Sequence, residues 1–299
     1  MVLAKIAINS RRAPAGPSGE PGSLEARTLA SGDGWTVEDV VCTRGPQDPR
    51  FEEQHDTFAI AIVTSGTFQY RSSGSNRDEV MTPGSVLLGS PGQCFECGHE
   101  HGAGDRCLAF HFSADYFDRL VAGGGATRKT LQAFQSSKLS PIRMLSPIIA
   151  DACAALSGSS DVAWEELGVR LSARALQLDA VSQRDGQVSS PAAVASVSES
   201  VRSIEKRSTA DLTVVRLARE AGLSPFHYLR TFESVTGTTP HQFMLRTRLR
   251  SAAVRLATGD GKVVDVAFES GFGDVSNFNR AFRAEFGVSP TTYRRRRRS

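Results

Sequence analysis

Two stretches of this sequence concentrate side chains capable of specific chemistry. In "DVSNFNRAF" (274–282), Ser276, Asn277, Asn279 and Arg280 are interleaved with Phe278 and Phe282. A guanidinium fork matches the O6/N7 edge of guanine and a carboxamide matches the N6/N7 edge of adenine, so this set suits the reading of base-pair edges. The second stretch, "CFECGHEHGAGDRCLAFH" (94–111), holds Cys94, Cys97, His99, His101, Cys107 and His111. C-x-x-C followed by H-x-H has the donors of a zinc or iron site, and alternate strand positions would place His99 and His101 on one face. Free cysteines in strands also serve as small buried apolar groups, and both readings stay open here. His55, in "EEQHDTFAI", reads first as a surface histidine and second as a neighbour of the same pocket.

The first stretch needs a helix to present it, and the sequence supplies that helix twice. "VVRLAREAGLSPFHYLRTFESVTGTTPHQF" (214–243) aligns with "VVDVAFESGFGDVSNFNRAFRAEFGVSPTTY" (263–293). Ala218, Glu220 and Gly222 meet Ala267, Glu269 and Gly271 at an offset of 49; after one inserted residue, Arg230, Phe232, Gly237 and Pro240 meet Arg280, Phe282, Gly287 and Pro290 at an offset of 50. Each unit reads as a helix, a glycine-containing turn and a second helix. Gly222 and Gly271 suit a left-handed turn residue. Ser224 and Asp274 stand where an oxygen can cap free N–H groups. Tyr228/Phe232 and Phe278/Phe282 are i,i+4 pairs that form a buried face. Gly237 and Gly287 stop the second helix, with proline three residues beyond. This is the helix-turn-helix plan, whose second helix enters the DNA major groove. The outward face holds Phe226, His227 and Arg230 in the first unit, and Ser276, Asn277, Asn279 and Arg280 in the second.

The rest of the chain divides by pattern. Residues 1–34, rich in Gly, Pro, Ala and Ser, are expected to be poorly ordered. Residues 35–125 read as short strands and turns, such as "FAIAIVTSGTFQYRSSG" and "MTPGSVLLGSPGQ", which suggests a jelly roll or small barrel. Residues 126–183 show helical spacing, with Trp164, Leu167, Leu171, Leu178 and Val181 available for one buried stripe. A polar linker is expected over 184–193, and an all-helical domain over 194–299. The fold class is therefore α+β. From Asp211 onward the chain has 15 Lys+Arg against 8 Asp+Glu, a net of +7, whereas the whole chain is +3 and residues 1–210 are thus −4. Most of that excess is the Arg294–Arg298 run, which reads as a solvated tail or as a source of salt-sensitive affinity for a polyanion. The absence of a long apolar run argues against a membrane span, and the N-terminus lacks the apolar core of a secretory signal, so a cytoplasmic protein is expected.

The duplicated unit resembles the AraC/XylS family of bacterial transcription regulators. The match is carried by "DVAFESGFGDVSNFNRAFRAEFGVSPTTYR", with Ala267, Gly271, Phe272, Phe278, Arg280, Phe282, Gly287, Pro290 and Tyr293 in place, and by "LAREAGLSPFHYLRTFESVTGTTPHQF". The intervening "MLRTRLRSAAVRLATGD" resembles the family's rigid connecting helix. The resemblance implies a double-stranded DNA partner, read at two successive major-groove segments by Phe226, Leu229 and Arg230 and by Val275, Ser276, Asn277, Asn279 and Arg280. Leu229 and Val275 depart from the polar residues often found there and suit thymine methyls. Thr238, Arg246, Arg248 and Lys262 are implied phosphate contacts. The front half resembles, less specifically, a cupin-like sensory domain that binds a small effector or a partner subunit. A homodimer, with 126–183 as contact or relay, RNA polymerase as a partner, and activation rather than catalysis belong to the same picture. The competing readings are a metal-dependent cupin enzyme fused to a DNA-binding tail, with Cys94, Cys97, His99 and His101 as zinc or iron ligands; a metal- or thiol-sensing regulator; and a helical protein-docking module.

Overall fold

A computed structural model describes residues 22–73, 75, 78–123, 134–157, 163–181, 189–207 and 212–298. Two antiparallel sheets form the front half. The larger has the order β1 (Leu24–Gly32), β2 (Trp35–Cys42), β9 (Asp105–Phe112), β4 (Phe58–Gly66), β7 (Val86–Gly89) and β10 (Lys138–Leu139). The smaller runs β3 (Phe51–Gln54), β8 (Cys94–Gly98), β5 (Phe68–Ser72) and β6 (Glu79–Met81).

The unbroken apolar run of β4 follows from burial on both faces. Side chains alternate along a strand. Phe58, Ile60 and Ile62 therefore point one way, with Leu108, Phe110 and Phe112 of β9, into a core shared with the helices. Ala61 and Val63 point the other way, with Cys107 and Ala109, toward Phe68, Tyr70 and Met81 of the smaller sheet. The large side chains face the helices and the small ones face the second sheet. Three helices cover the outer face: α1 (Ala114–Gly123), α2 (Ser146–Leu156) and α3 (Trp164–Asp179). On α3 the expected stripe is buried at Leu167, Leu171 and Leu178, but Val181 lies past the helix end and is 74% exposed.

Two expectations are corrected here. Residues 22–34 are not disordered: β1 pairs with β2 from Leu24↔Cys42 to Gly32↔Trp35, across an Asp33-Gly34 turn in which Gly34 has φ +85°. Asp-Gly between strands favours a two-residue hairpin turn with positive φ. The segment expected to be helical also supplies β10, whose Lys138 and Leu139 pair with Leu87 and Val86. Residues 1–21 and residues 184–188 of the expected linker lie outside the described residues, and its last three residues, from Pro191, open a helix.

The C-terminal region comprises α4 (Pro191–Lys206), α5 (Val214–Glu220), α6 (Pro225–Thr236), α7 (Pro240–Thr258), α8 (Val263–Glu269), α9 (Val275–Phe286) and α10 (Pro290–Arg298). Val194, Val197, Val201 and Ile204 of α4 pack with Leu217, Ala218, Tyr228 and Phe232 of the first unit. Ala267, Phe272, Phe278, Phe282 and Tyr293 form the core of the second. α7 serves both: Phe243 and Met244 enter the first core, and Leu249, Ala252, Ala253 and Leu256 the second. With its one proline at the first position and no internal glycine, α7 is a stiff connector.

The two halves are in contact. α2 lies along α7, and Ala150 of α2 is buried in the second unit's core. Lys138 Nζ donates to the Val235 carbonyl at the end of α6 at 2.9 Å, a favourable place for a cation, while burial pulls its pKa down. Glu285 of α9 accepts from the Ser146 hydroxyl and lies 3.3 Å from Arg246 Nε. Asp151 of α2 holds Arg297 of α10. The arginine run thus ends a helix held at two points, by Asp151 at Arg297 and by the Gly261 carbonyl, to which Arg294 Nη2 donates at 2.6 Å, while Arg295 and Arg296 are exposed.

Candidate nucleic-acid interface

Each unit builds its second helix from the same local chemistry. Ser224 Oγ accepts from His227 N at 3.3 Å at the start of α6, and the Asp274 carboxylate accepts from Ser276 N at 3.0 Å and Asn277 N at 2.9 Å at the start of α9. Those two backbone bonds hold the Asp274 carboxyl below the usual carboxylate range. Both helices stop at a left-handed glycine, Gly237 (φ +72°) and Gly287 (φ +77°), and both turns contain another, Gly222 (φ +67°) and Gly271 (φ +82°). The i,i+4 pairs Tyr228/Phe232 and Phe278/Phe282 are fully buried. Each such phenylalanine contributes about 1.5–3 kcal/mol by leaving water, so the rotation of each helix about its axis is set by its aromatic face.

That rotation decides which side chains remain outside. Phe226, His227 and Arg230 are exposed on α6, and Ser276, Asn277, Asn279 and Arg280 on α9, with the front domain in place. Arg280 Nη2 donates to Asn277 Oδ1 at 3.3 Å, which joins the two groups best suited to base edges into one surface. On α6 the guanidinium carbon of Arg230 lies 5.9 Å from the centre of the Phe226 ring, and Phe226 itself is 70% exposed. Leu229 is half-buried, and Val275 packs partly against the second core, which leaves it less surface to offer than its neighbours.

The expected phosphate contacts divide. Lys262 stands exposed at the start of α8, and Arg248 is half-buried. Thr238 and Arg246 are corrected: they are parts of the interdomain joint. Arg246 Nη1 donates to the Pro141 carbonyl and to Thr238 Oγ1, both at 2.9 Å, and Thr238 is 3% exposed. Neither presents a group to a duplex in this arrangement. What distinguishes them from Lys262 is tertiary contact, which a single sequence does not display.

The C-x-x-C…H-x-H set does not assemble either. β8 ends at Gly98, so His99 and His101 do not share a strand face. Cys94 and Cys97, three apart, fall on opposite faces of β8: Cys94 is exposed and Cys97 buried. His101 is half-buried and lies near Glu100 at 3.9 Å. His99 turns inward to Asp105 and Cys42 instead. Sequence reading missed both of those partners. Asp105 follows closely enough to have been considered, but Cys42 comes from β2 and no local spacing reveals it. His55 is half-buried rather than freely exposed: its Nε2 lies 2.9 Å from the Tyr70 hydroxyl, its ring stacks on Phe95 at 4.3 Å, and burial lowers its pKa to about 4.

Two linked helix-turn-helix units behind a two-sheet domain define a DNA-binding regulator with a ligand-binding front end, and comparison with known proteins agrees. Residues 217–296 match the model of a helix-turn-helix domain, and residues 39–205 that of an AraC-like ligand binding domain. The chain belongs to the AraC/XylS family of DNA-binding transcription regulators. It is 42% identical over 89 residues to the transcriptional activator NphR of a Rhodococcus species, covering 29% of this chain and 25% of NphR. It is 34% identical over 85 residues to the regulatory protein SoxS of Salmonella typhimurium, covering 28% of this chain and 79% of SoxS. The DNA-binding domain of AdpA, solved with a target DNA, is similar at 31% identity and a TM-score of 0.33, over 34% of this chain and 92% of that one. Among the described residues no helix is long and apolar enough to cross a membrane.

Proposed function

We propose that the chain activates transcription by placing α6 and α9 in two successive major-groove segments on one face of a duplex. The observation that carries this reading is the pair of capped helices, each rotated by a buried aromatic face so that a polar face stays open. Arg280 and Asn277 read purine edges, with Ser276 and Asn279 beside them; Arg230 and His227 do so in the first unit. Phe226, Leu229 and Val275 offer apolar contact to thymine methyls. Lys262 and Arg248 meet phosphates, which positions the protein without selecting sequence. The front domain acts as a sensor, and the joint formed by α2, α7 and α9 connects it to the reading helices. Its effector would lie between the sheets, where His55, Tyr70 and Phe95 form an aromatic group with one imidazole–phenol hydrogen bond. A second copy of the chain and RNA polymerase are the expected protein partners.

Selection of bound duplexes from a random pool tests the central claim. The expected outcome is a site with two short blocks whose centres lie about 10 base pairs apart, one helical turn. A pool without enrichment at moderate salt would refute it.

A further inference from the structure

Where the two sheets close at one end of the front domain, soft and borderline donors converge from three strands' ends. Cys42 is the last residue of β2 and Asp105 the first of β9, and the two are direct partners across the antiparallel ladder. His99 enters from the other sheet, immediately after β8. One donor atom from each of Cys42, His99 and Asp105 lies within 4.8 Å of the others. Cys42 and His99 are 3% and 4% exposed, and the Asp105 side chain is 7% exposed. His99 Nε2 is 2.6 Å from Asp105 Oδ1, while the other ring nitrogen, Nδ1, is buried with no hydrogen-bond partner among the described residues. Cys107, itself buried, donates its thiol to Asp105 Oδ2 at 3.4 Å and brings a second sulfur to the same carboxylate.

A buried, orphaned imidazole nitrogen is a costly feature for a purely packed core. We propose that Cys42, His99 and Asp105, with Cys107 as the fourth donor, form a binding site for a zinc-class divalent cation. Thiolate, imidazole and carboxylate together select a borderline-soft metal over calcium or magnesium, which take all-oxygen sets. Zinc bonds of about 2.0–2.3 Å place tetrahedral donors roughly 3.3–3.8 Å from one another, so an ion is seated by parting the His99–Asp105 pair, 2.6 Å apart here, by about 1 Å.

The location gives that movement a consequence. The loop from His99 to Asp105 is where α4 docks: the Arg202 guanidinium donates to the His101 carbonyl, and Gly66 N, on the residue paired with Asp105, donates to Glu205 Oε1 at 3.3 Å. The metal would therefore brace the loop that carries the first helix of the C-terminal region. Its regulatory meaning rests on the DNA-binding reading; the site itself does not.

The test is a titration of the chelator-stripped, reduced full chain with cobalt(II), followed by zinc(II), in the absence of DNA. One equivalent of cobalt with thiolate-to-metal charge-transfer absorption, displaced by zinc, is expected. Cys42→Ser should weaken binding and reduce that absorption, its combination with Cys107→Ser should abolish the absorption, and Asp105→Asn, which keeps the side-chain shape, should weaken binding at least tenfold. Cys94→Ser, altering an exposed thiol outside the group, should leave both unchanged. No thiolate absorption in the unaltered chain overturns the proposal whatever the variants do. So does full binding by a folded Cys42→Ser chain, or loss in Cys94→Ser. A chain that fails to select DNA leaves this result intact, and a chain without metal leaves the DNA reading intact.

Discussion

Replacing Arg280 with alanine separates base reading from charge. Its guanidinium is exposed on α9 and its hydrogen bond to Asn277 Oδ1, at 3.3 Å, lies on the surface. The folded chain should therefore change in stability by no more than about 0.5 kcal/mol. On a selected duplex the loss of a two-point contact to a purine edge costs about 1–3 kcal/mol. At 1.4 kcal/mol per tenfold, Kd should rise about 5- to 150-fold. On a scrambled duplex the loss should be much smaller, so the ratio of the two affinities falls. Lys262→Ala is the contrasting variant. Each phosphate contact adds about 0.9 to the slope of log affinity against log salt, so Lys262→Ala should reduce that slope by about 1 and keep the preference between duplexes. Fluorescence anisotropy of both duplexes across a salt series reads all of these quantities. If Arg280→Ala weakened both duplexes equally and lowered the salt slope, Arg280 would be a phosphate contact and the assignment of α9 as a reading helix would be wrong.

Three further outcomes follow from the packing. Gly287→Ala should cost about 1 kcal/mol through left-handed strain alone, since a Cβ there meets nothing within 4 Å among the described residues. Gly237→Ala should cost more and loosen the joint between the halves, because a Cβ at this matching position overlaps the Ser140 hydroxyl; thermal unfolding with limited proteolysis compares the two. Arg246→Ala should lower stability by about 1.5–3 kcal/mol, by removing its bonds to Pro141 and Thr238 and leaving Glu285 without its cation, with little change in the salt slope. The chain should also lose stability in acid through His55, whose pKa of about 4 lies below its ordinary 6.5. Between those values the unfolded chain binds the extra proton, so stability present above pH 6.5 is lost as pH falls toward 4. The groups around that imidazole are Tyr70, His111 and Asp56, and His55→Gln should flatten the acid limb of the unfolding midpoint against pH.

The duplicated helix-turn-helix was legible in the sequence because everything that specifies it is local. Helix caps, i,i+4 aromatic pairs and left-handed glycines act over a few residues, and the repeat displays them twice at nearly constant offset. The same locality exposed the outward faces of α6 and α9. The strand-rich front half was legible as a class, from its apolar runs and turns, although the Asp33-Gly34 hairpin signal was outweighed by the composition around it.

What the tertiary structure alone decided is where chain-distant groups meet. Arg246 and Thr238 have the polar chemistry of phosphate contacts, yet Pro141 and Glu285 absorb them into a joint between the halves. The terminal arginines have the composition of a free tail, yet Asp151, far earlier in the chain, holds Arg297 against α2. His99 belongs by spacing with His101, and by packing with Cys42 and Asp105. Spacing along the chain determines which residues share a helix or strand face; sheet register and domain docking determine which faces meet. The first kind of information is written within a few turns of backbone, and the second arises only when separate elements bury their apolar surfaces against one another.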